Sequence, residues 1–197
     1  MSFLRKQESS FFAVDPCFRR GDPPAADQFR LSATDTDYEP QETTMAERTL
    51  IIIKPDAIQR HLAGRIIARF EKKGLKLVAA KFIQISEDLA SRLYAVHRGK
   101  PFYEGLIKYL SSAPVLVTVW EAEGVVEIAR KMMGATFGYE AQPGTIRGDY
   151  SCSRGYNLVH GSDSLKSAEH EIKLFFKPDE IIDYEFADAN WLYGKND

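Results

Sequence analysis

The stretch RGYNLVHGSDSLKSAEHE, Arg154–Glu171, decides the reading of this chain. Asn157, Leu158 and Val159 read as the end of a strand, and His160 follows at its tip. Gly161 removes a Cβ beside the imidazole, and Ser162, Asp163 and Ser164 are residue types that cap a helix N-terminus. From Leu165 the apolar residues Ala168, Ile172, Phe175 and Phe176 fall at helical spacing. The unit is therefore strand, exposed histidine, tight turn, helix. A neutral imidazole, with a pKa of about 6.5, is a good nucleophile near pH 7. Uncapped N–H groups at the following helix end would favour an incoming phosphate.

Upstream of this unit the pattern alternates. Arg48–Lys54 is a β-branched strand ended by Pro55. Leu62–Lys73 places Leu62, Ile66, Ile67 and Phe70 on one helical face, with Gly74 to stop it. Leu75–Ile85 resumes strand character, with Leu75, Leu77 and Ala79 facing one way and Val78, Ala80 and Phe82 the other. Ser86 caps a helix running through Leu89, Leu93, Tyr94 and His97, and Pro101-Phe102 opens another through Leu106, Ile107 and Tyr109. Val115–Trp120 is a third strand and Gly124–Met133 a short helix. With a fourth strand around Leu158 and the helix Ser164–Phe176, this order is a split βαβ pattern. It predicts an α+β, ferredoxin-like sandwich with an antiparallel four-stranded sheet covered by helices.

The chain has 197 residues and a formal net charge of −2, so no global basic field draws it to nucleic acid. Cys17 and Cys152 make no disulfide framework, and no apolar run is long enough to span a bilayer. A cytoplasmic protein without a membrane partner is expected. Residues 1–44 differ from the rest: they hold Pro16, Pro23, Pro24 and Pro40 and show no sustained period. They read as a disordered extension or as a spurious one, a translated repeat element with the true start at Met45, and residues 45–197 as the domain. The mass of the native protein decides between the two.

Taken singly, the other candidates are ambiguous. Lys54 reads equally as a solvated strand-end lysine, and Arg130 as a complement to a helix C-terminus. Arg147 reads as a salt-bridging loop residue, Phe102 as core, and Glu171 as part of a solvated helix face. Ala135–Cys152 is a long aperiodic segment holding Thr136, Arg147 and Asp149, and long loops in compact domains tend to be functional. His61, His97 and His170 have no assignable partner and read as surface residues; Cys152 has no paired base. No GxxxxGK[ST] or HRD/DFG set occurs, so P-loop and protein-kinase readings fail.

Together, NLVHGSDS, PGTIRGD and TLIIIKPDA, in that spatial separation and order, resemble the nucleoside diphosphate kinases from about Ala46 to the C-terminus. The resemblance implies transfer of the γ-phosphoryl group of a nucleoside triphosphate, typically ATP, to a nucleoside diphosphate in ping-pong fashion. It implies that His160 is the residue phosphorylated, on its pros nitrogen, and that Glu171 holds the other nitrogen. By the same match Lys54 and Tyr94 lie near the transferred phosphate, and Phe102 stacks on the base, which gives broad specificity. Arg130, Thr136 and Arg147 contact phosphates and Asn157 the sugar, while Mg²⁺ travels on the nucleotide and takes no side-chain ligand.

The chain departs from the family pattern at two points. Phe137-Gly138 follows Thr136 where many relatives carry Asn-Pro, which predicts a more flexible or differently packed loop. Arg154 stands where many relatives have a small aliphatic residue, and it either stacks on the base or turns outward. Core length and the aromatic tail Phe176–Asp197 match hexameric relatives, with a tetramer as the alternative; the tail is expected to pack on the domain or a neighbouring subunit. Two rivals stand beside the enzyme: a non-catalytic ferredoxin-like binding module, and a phosphohistidine carrier serving a protein acceptor.

Overall fold

The computed structural model describes residues 47–187 and 189–194; the extension 1–44 and Met45 lie outside the described residues. In chain order the elements are β1 (Glu47–Ile53), α1 (Pro55–Gln59), α2 (Ala63–Lys72), β2 (Lys76–Ile83), α3 (Glu87–Leu93) and α4 (Tyr103–Ser111). There follow β3 (Val115–Ala122), α5 (Val125–Met133), α6 (Ile146–Tyr150), β4 (Val159–Gly161), α7 (Leu165–Phe175) and α8 (Ala189–Leu192). The strands form one antiparallel sheet in the order β2-β3-β1-β4.

Strand β1 is central because both of its faces are apolar. Leu50, Ile51, Ile52 and Ile53 are all essentially inaccessible, and they alternate between two cores. Ile51 and Ile53 join Ile66 and Phe70 of α2, Trp120 of β3, and Val125, Ala129 and Met133 of α5. Leu50 and Ile52 join Ala90 and Leu93 of α3, Ile107 and Leu110 of α4, and Ile172 and Phe175 of α7. Each such side chain contributes about 1.5–3 kcal/mol by leaving water. The crossovers β1-α2-β2 and β3-α5-β4 lie over the same core, which is the split βαβ, ferredoxin-like arrangement that the sequence pattern predicts.

Several local expectations are corrected. Alternation along β2 breaks at an irregularity in register between Leu77 and Ala79, a bulge that adds one residue and shifts the phase. Val78 and Ala79 therefore face the same core, while Phe82 is 63% exposed. Helix α3 stops at Leu93, and a separate 3₁₀ turn, Ala95–His97, follows. The one-turn helices α1 and α6 are too short to leave a period in the sequence. Of the aromatic tail, Phe176 enters the core, and Ile182 donates its N–H to the Val78 carbonyl at 2.9 Å. Tyr184 reaches the Leu77 carbonyl at 3.1 Å, but Trp191 stays 89% exposed.

His160 gains its place from β4. This short edge strand pairs with β1 so that His160 stands opposite Ile52, in the most deeply buried part of the sheet.

Candidate active site

The residue before β4 is not in a strand. Leu158 has a φ of +68°, and the Val159 N–H reaches back to the Asn157 carbonyl at 2.7 Å. A hydrogen bond from i+2 to i around a positive-φ centre is the rarer form of γ-turn. For a branched residue this costs on the order of 1–3 kcal/mol and persists only where the surroundings enforce it. They do: Leu158 is fully buried, its carbonyl accepts the Lys54 N–H at 2.8 Å, and its N–H donates to Asp56 Oδ2 at 3.1 Å.

Nε2 of His160 is 2.9 Å from Oε2 of Glu171 on α7, eleven residues later. A carboxylate only accepts, so the proton resides on Nε2 and Nδ1 keeps its lone pair. Glu171 is held in turn by the Ser162 hydroxyl at 2.8 Å, and Ser162 is completely buried, its N–H donating to the Leu50 carbonyl and its Oγ accepting the Leu50 N–H. Sequence reading assigned Ser162 to helix capping, but the cap of α7 is Ser164, whose Oγ accepts the Ser167 N–H. Ser162 positions the carboxylate instead. Ser164 satisfies one N–H of that helix end, that of Ser167.

Tyr94, at the C-terminal cap of α3, meets the His160 ring edge-on at 5.5 Å between centroids. Its hydroxyl is buried and has no hydrogen-bond partner among the described residues. Burial, then the nearby Glu171 carboxylate, push the phenol's pKa far up, so the group is a neutral donor. A buried donor left unpaired costs about 1–3 kcal/mol and marks a place where a ligand atom is expected.

The cations lie around this point. Lys54, buried at the end of β1, donates to Asn157 Oδ1 at 2.7 Å. Its pKa falls to about 7, first because burial penalises the charge and then because Arg147 is close; Asp56 opposes both. Arg147, on α6, is also buried: its Nε and Nη2 donate to the carbonyls of Asn157 and Val159 at 3.2 and 2.9 Å, and its Nη1 to Gly134 at 2.8 Å. It thus braces the turn through its carbonyls, as Asp56 does through the Leu158 N–H. Burial and the neighbouring Arg130 lower its pKa to about 10, so it remains cationic at neutral pH. Arg130, in the last turn of α5, is exposed and lies within electrostatic reach of Arg147 and Asp163. Asn157 Nδ2 donates to the Thr136 carbonyl at 2.8 Å, which brings that exposed threonine to the site.

Phe102 is 54% exposed at the N-terminal cap of α4 and is not a core residue. It joins the site through His97, whose ring meets Phe102 edge-on at 5.6 Å and stacks on Tyr94 at 5.9 Å. His97 was a surface residue on sequence grounds. Its half-burial lowers its pKa, and Lys100 and His160 lower it further. The signal was its place three residues after Tyr94, a spacing that brings two side chains to one face of a helix.

Three other expectations resolve. Gly138 is buried, and a Cβ there would collide with Ser151, so the Phe137-Gly138 loop is tightly packed. Arg154 lays its guanidinium over the Tyr139 ring at 5.3 Å. Asp149 is engaged by Arg69 at 2.6 Å and by the Gly144 N–H at 2.7 Å. A groove of about 820 Å³ runs beside α5 and touches the site at Arg130 and Asp163, without including His160 or Lys54.

A family model described as Nucleoside diphosphate kinase matches residues 47–181. The chain belongs to the nucleoside diphosphate kinase family. It is 54% identical over 147 residues to a nucleoside diphosphate kinase from Carboxydothermus hydrogenoformans, covering 75% of this chain and 99% of that one. It is 51% identical over 148 residues to nucleoside diphosphate kinase A from Rattus norvegicus, covering 75% and 97%. A solved structure of the Halobacterium salinarum nucleoside diphosphate kinase in complex with CDP superposes with a TM-score of 0.74 at 46% identity, covering 76% of this chain and 99% of that one. As a nucleoside diphosphate kinase the protein is a phosphotransferase that moves a phosphoryl group from a nucleoside triphosphate to a nucleoside diphosphate. No described helix is long and apolar enough to cross a membrane.

Proposed function

We propose that the enzyme works in two steps through Nδ1, the pros nitrogen, of His160. The Nδ1 lone pair forms a bond to the γ-phosphorus of ATP while the bond to the bridging oxygen breaks, and ADP departs with that electron pair. A second nucleoside diphosphate then attacks the phosphohistidine through a terminal oxygen and restores the imidazole. The observation that carries this reading is the His160–Glu171 contact, because it fixes the tautomer that leaves Nδ1 basic.

Phosphoryl transfer is chiefly positioning and charge stabilisation. The unpartnered Tyr94 hydroxyl and the Lys54 ammonium face the transferring group on this reading. Arg130, Arg147 and Thr136 take the remaining phosphate oxygens, and Arg147 also braces the turn. Asn157 offers its second amide hydrogen to the sugar. The exposed face of Phe102 stacks on the base and accepts any of them.

Among the described residues no group of three or more His, Cys, Asp or Glu could hold a metal ion. The side chains around Nδ1 are cations and neutral donors, a set suited to phosphate rather than to a bare cation. Mg²⁺ would accompany the nucleotide, held by its phosphates, and would supply charge neutralisation as the phosphoryl group moves. The protein is further proposed to be cytoplasmic and a homohexamer. Exposed Phe82, Ile182, Tyr184 and Trp191 supply apolar surface for subunit contacts, and a solution mass of four subunits would favour the tetramer. The chain from Met45 is proposed to constitute the active domain.

Incubation with γ-labelled ATP and Mg²⁺, without acceptor, tests the relay. Label that is alkali-stable, acid-labile, collected by GDP as GTP and absent in His160→Ala is expected. Label that only a protein acceptor collects would favour the carrier reading.

A further inference from the structure

We propose that Asp56 and Tyr109 are positioning residues for His160, acting through the strained turn at Leu158; this rests on the His160 relay proposed above. An aspartate in the first turn of α1 would ordinarily be expected only to complement the helix end. Here both of its oxygens are committed across the fold. Oδ2 accepts the Leu158 N–H at 3.1 Å, and Oδ1 accepts the Tyr109 hydroxyl from α4. Tyr109 is itself fixed, with its ring against Tyr156 at 4.9 Å.

The geometry gives this contact a lever. Leu158 holds the positive φ, and His160 lies two residues further on. The turn's carbonyls are taken by the Lys54 N–H and by Arg147, but among the described residues its inward N–H has Asp56 alone. Without that acceptor the buried amide loses its partner, and φ at Leu158 relaxes toward the negative region that branched residues prefer. Rotation there swings Val159 and His160 relative to β1, and Nδ1 leaves its line of attack. Tyr109 keeps Asp56 from rotating its carboxylate away.

Asp56 also faces Lys54 and favours its charged form, so charge and position must be separated. Asp56→Asn removes the charge yet leaves an oxygen for the Leu158 N–H and an amide hydrogen for the Tyr109 oxygen. Asp56→Ala removes both. The experiment measures amide exchange at Leu158 and Val159 in the nucleotide-free protein, single-turnover phosphorylation of His160 by ATP, ADP affinity and thermal unfolding. In Asp56→Ala, exchange at Leu158 is expected to accelerate by roughly tenfold or more. Phosphorylation is expected to slow by roughly 10- to 100-fold, as for a displaced reacting group, with ADP affinity nearly unchanged. Tyr109→Phe should show a smaller loss of the same kind, and Asp56→Asn should recover most of the rate.

Asp56→Asn as slow as Asp56→Ala would assign the effect to Lys54's charge and overturn the proposal. So would unchanged exchange at Leu158, or a loss matched by Ser86→Ala, which removes the distant α3 cap. If the unsubstituted protein takes no label from ATP, the relay fails instead, and the exchange measurement still decides whether Asp56 holds the turn.

Discussion

Nε2 of His160 and Oε2 of Glu171 lie 2.9 Å apart, and the side chains of both are largely buried. This contact does two jobs at once. It sets the tautomer, and on the proposed relay it places a negative charge behind the ring as positive character develops at phosphorylation. Glu171→Gln keeps the size but loses the charge, and a glutamine amide facing Nε2 would favour the other tautomer. The rate of phosphorylation by ATP is expected to fall by roughly 10- to 100-fold, with ADP affinity little changed. Equal rates in rapid-quench experiments would show that the carboxylate does not orient the nucleophile.

Tyr94→Phe separates stability from activity. The Tyr94 hydroxyl is buried without a partner among the described residues, so its removal relieves a desolvation penalty rather than breaking a bond. The variant is expected to be as stable as the parent or more so by up to about 1–3 kcal/mol, and slower in phosphoryl transfer. Chemical denaturation and single-turnover rates measured on the same preparation check both halves.

Ser162→Ala should behave in the opposite way. Its hydroxyl joins the Leu50 amide to Glu171 inside a fully buried site, so the loss leaves a carboxylate and an N–H short of partners. A stability loss of about 1–3 kcal/mol is expected, read as a lower urea midpoint with an unchanged slope. Glycine at this position should cost more, since it adds backbone freedom to the same loss.

Strand and helix order was legible because β1 and the longer helices carry strong periods. The run Leu50–Ile53 announces a strand buried on both faces, and Ile66–Phe70 a helical stripe. The bulge at Val78 was not, because a one-residue insertion changes phase without changing composition. The γ-turn at Leu158 was read as strand: the residue is apolar and branched, and only tertiary contacts from Asp56, Lys54 and Arg147 compel its positive φ. Among site residues, those in motifs could be assigned by resemblance. Ser162 and Asp56 could not, since their meaning lies in partners distant in sequence, and for His97 the sequence offered only its spacing of three from Tyr94.

Lys54 makes both activity and stability depend on pH, in opposite senses. Its ammonium is the form proposed to meet phosphate, and in the free protein its pKa falls to about 7. The value of kcat/KM, which reports the free enzyme, should therefore decline above pH 7, by up to about tenfold per pH unit. The limb in kcat should fall at higher pH, since bound phosphates favour the charged lysine. Lys54→Arg keeps a charge throughout this range and should lose the limb even where its rate is lower. For stability, the unfolded chain carries lysine with a pKa of about 10.4. Between about pH 7 and 10 the unfolded state thus binds the extra proton, and stability gains from this group as pH rises, by at most about 1.4 kcal/mol per unit. Below pH 7 lysine is charged in both states, and the full penalty of burying it applies. Lys54→Met should flatten that slope in denaturation curves taken from pH 7 to 10. An unchanged slope would mean that the buried lysine keeps its proton, and the decline in kcat/KM would then need another titrating group.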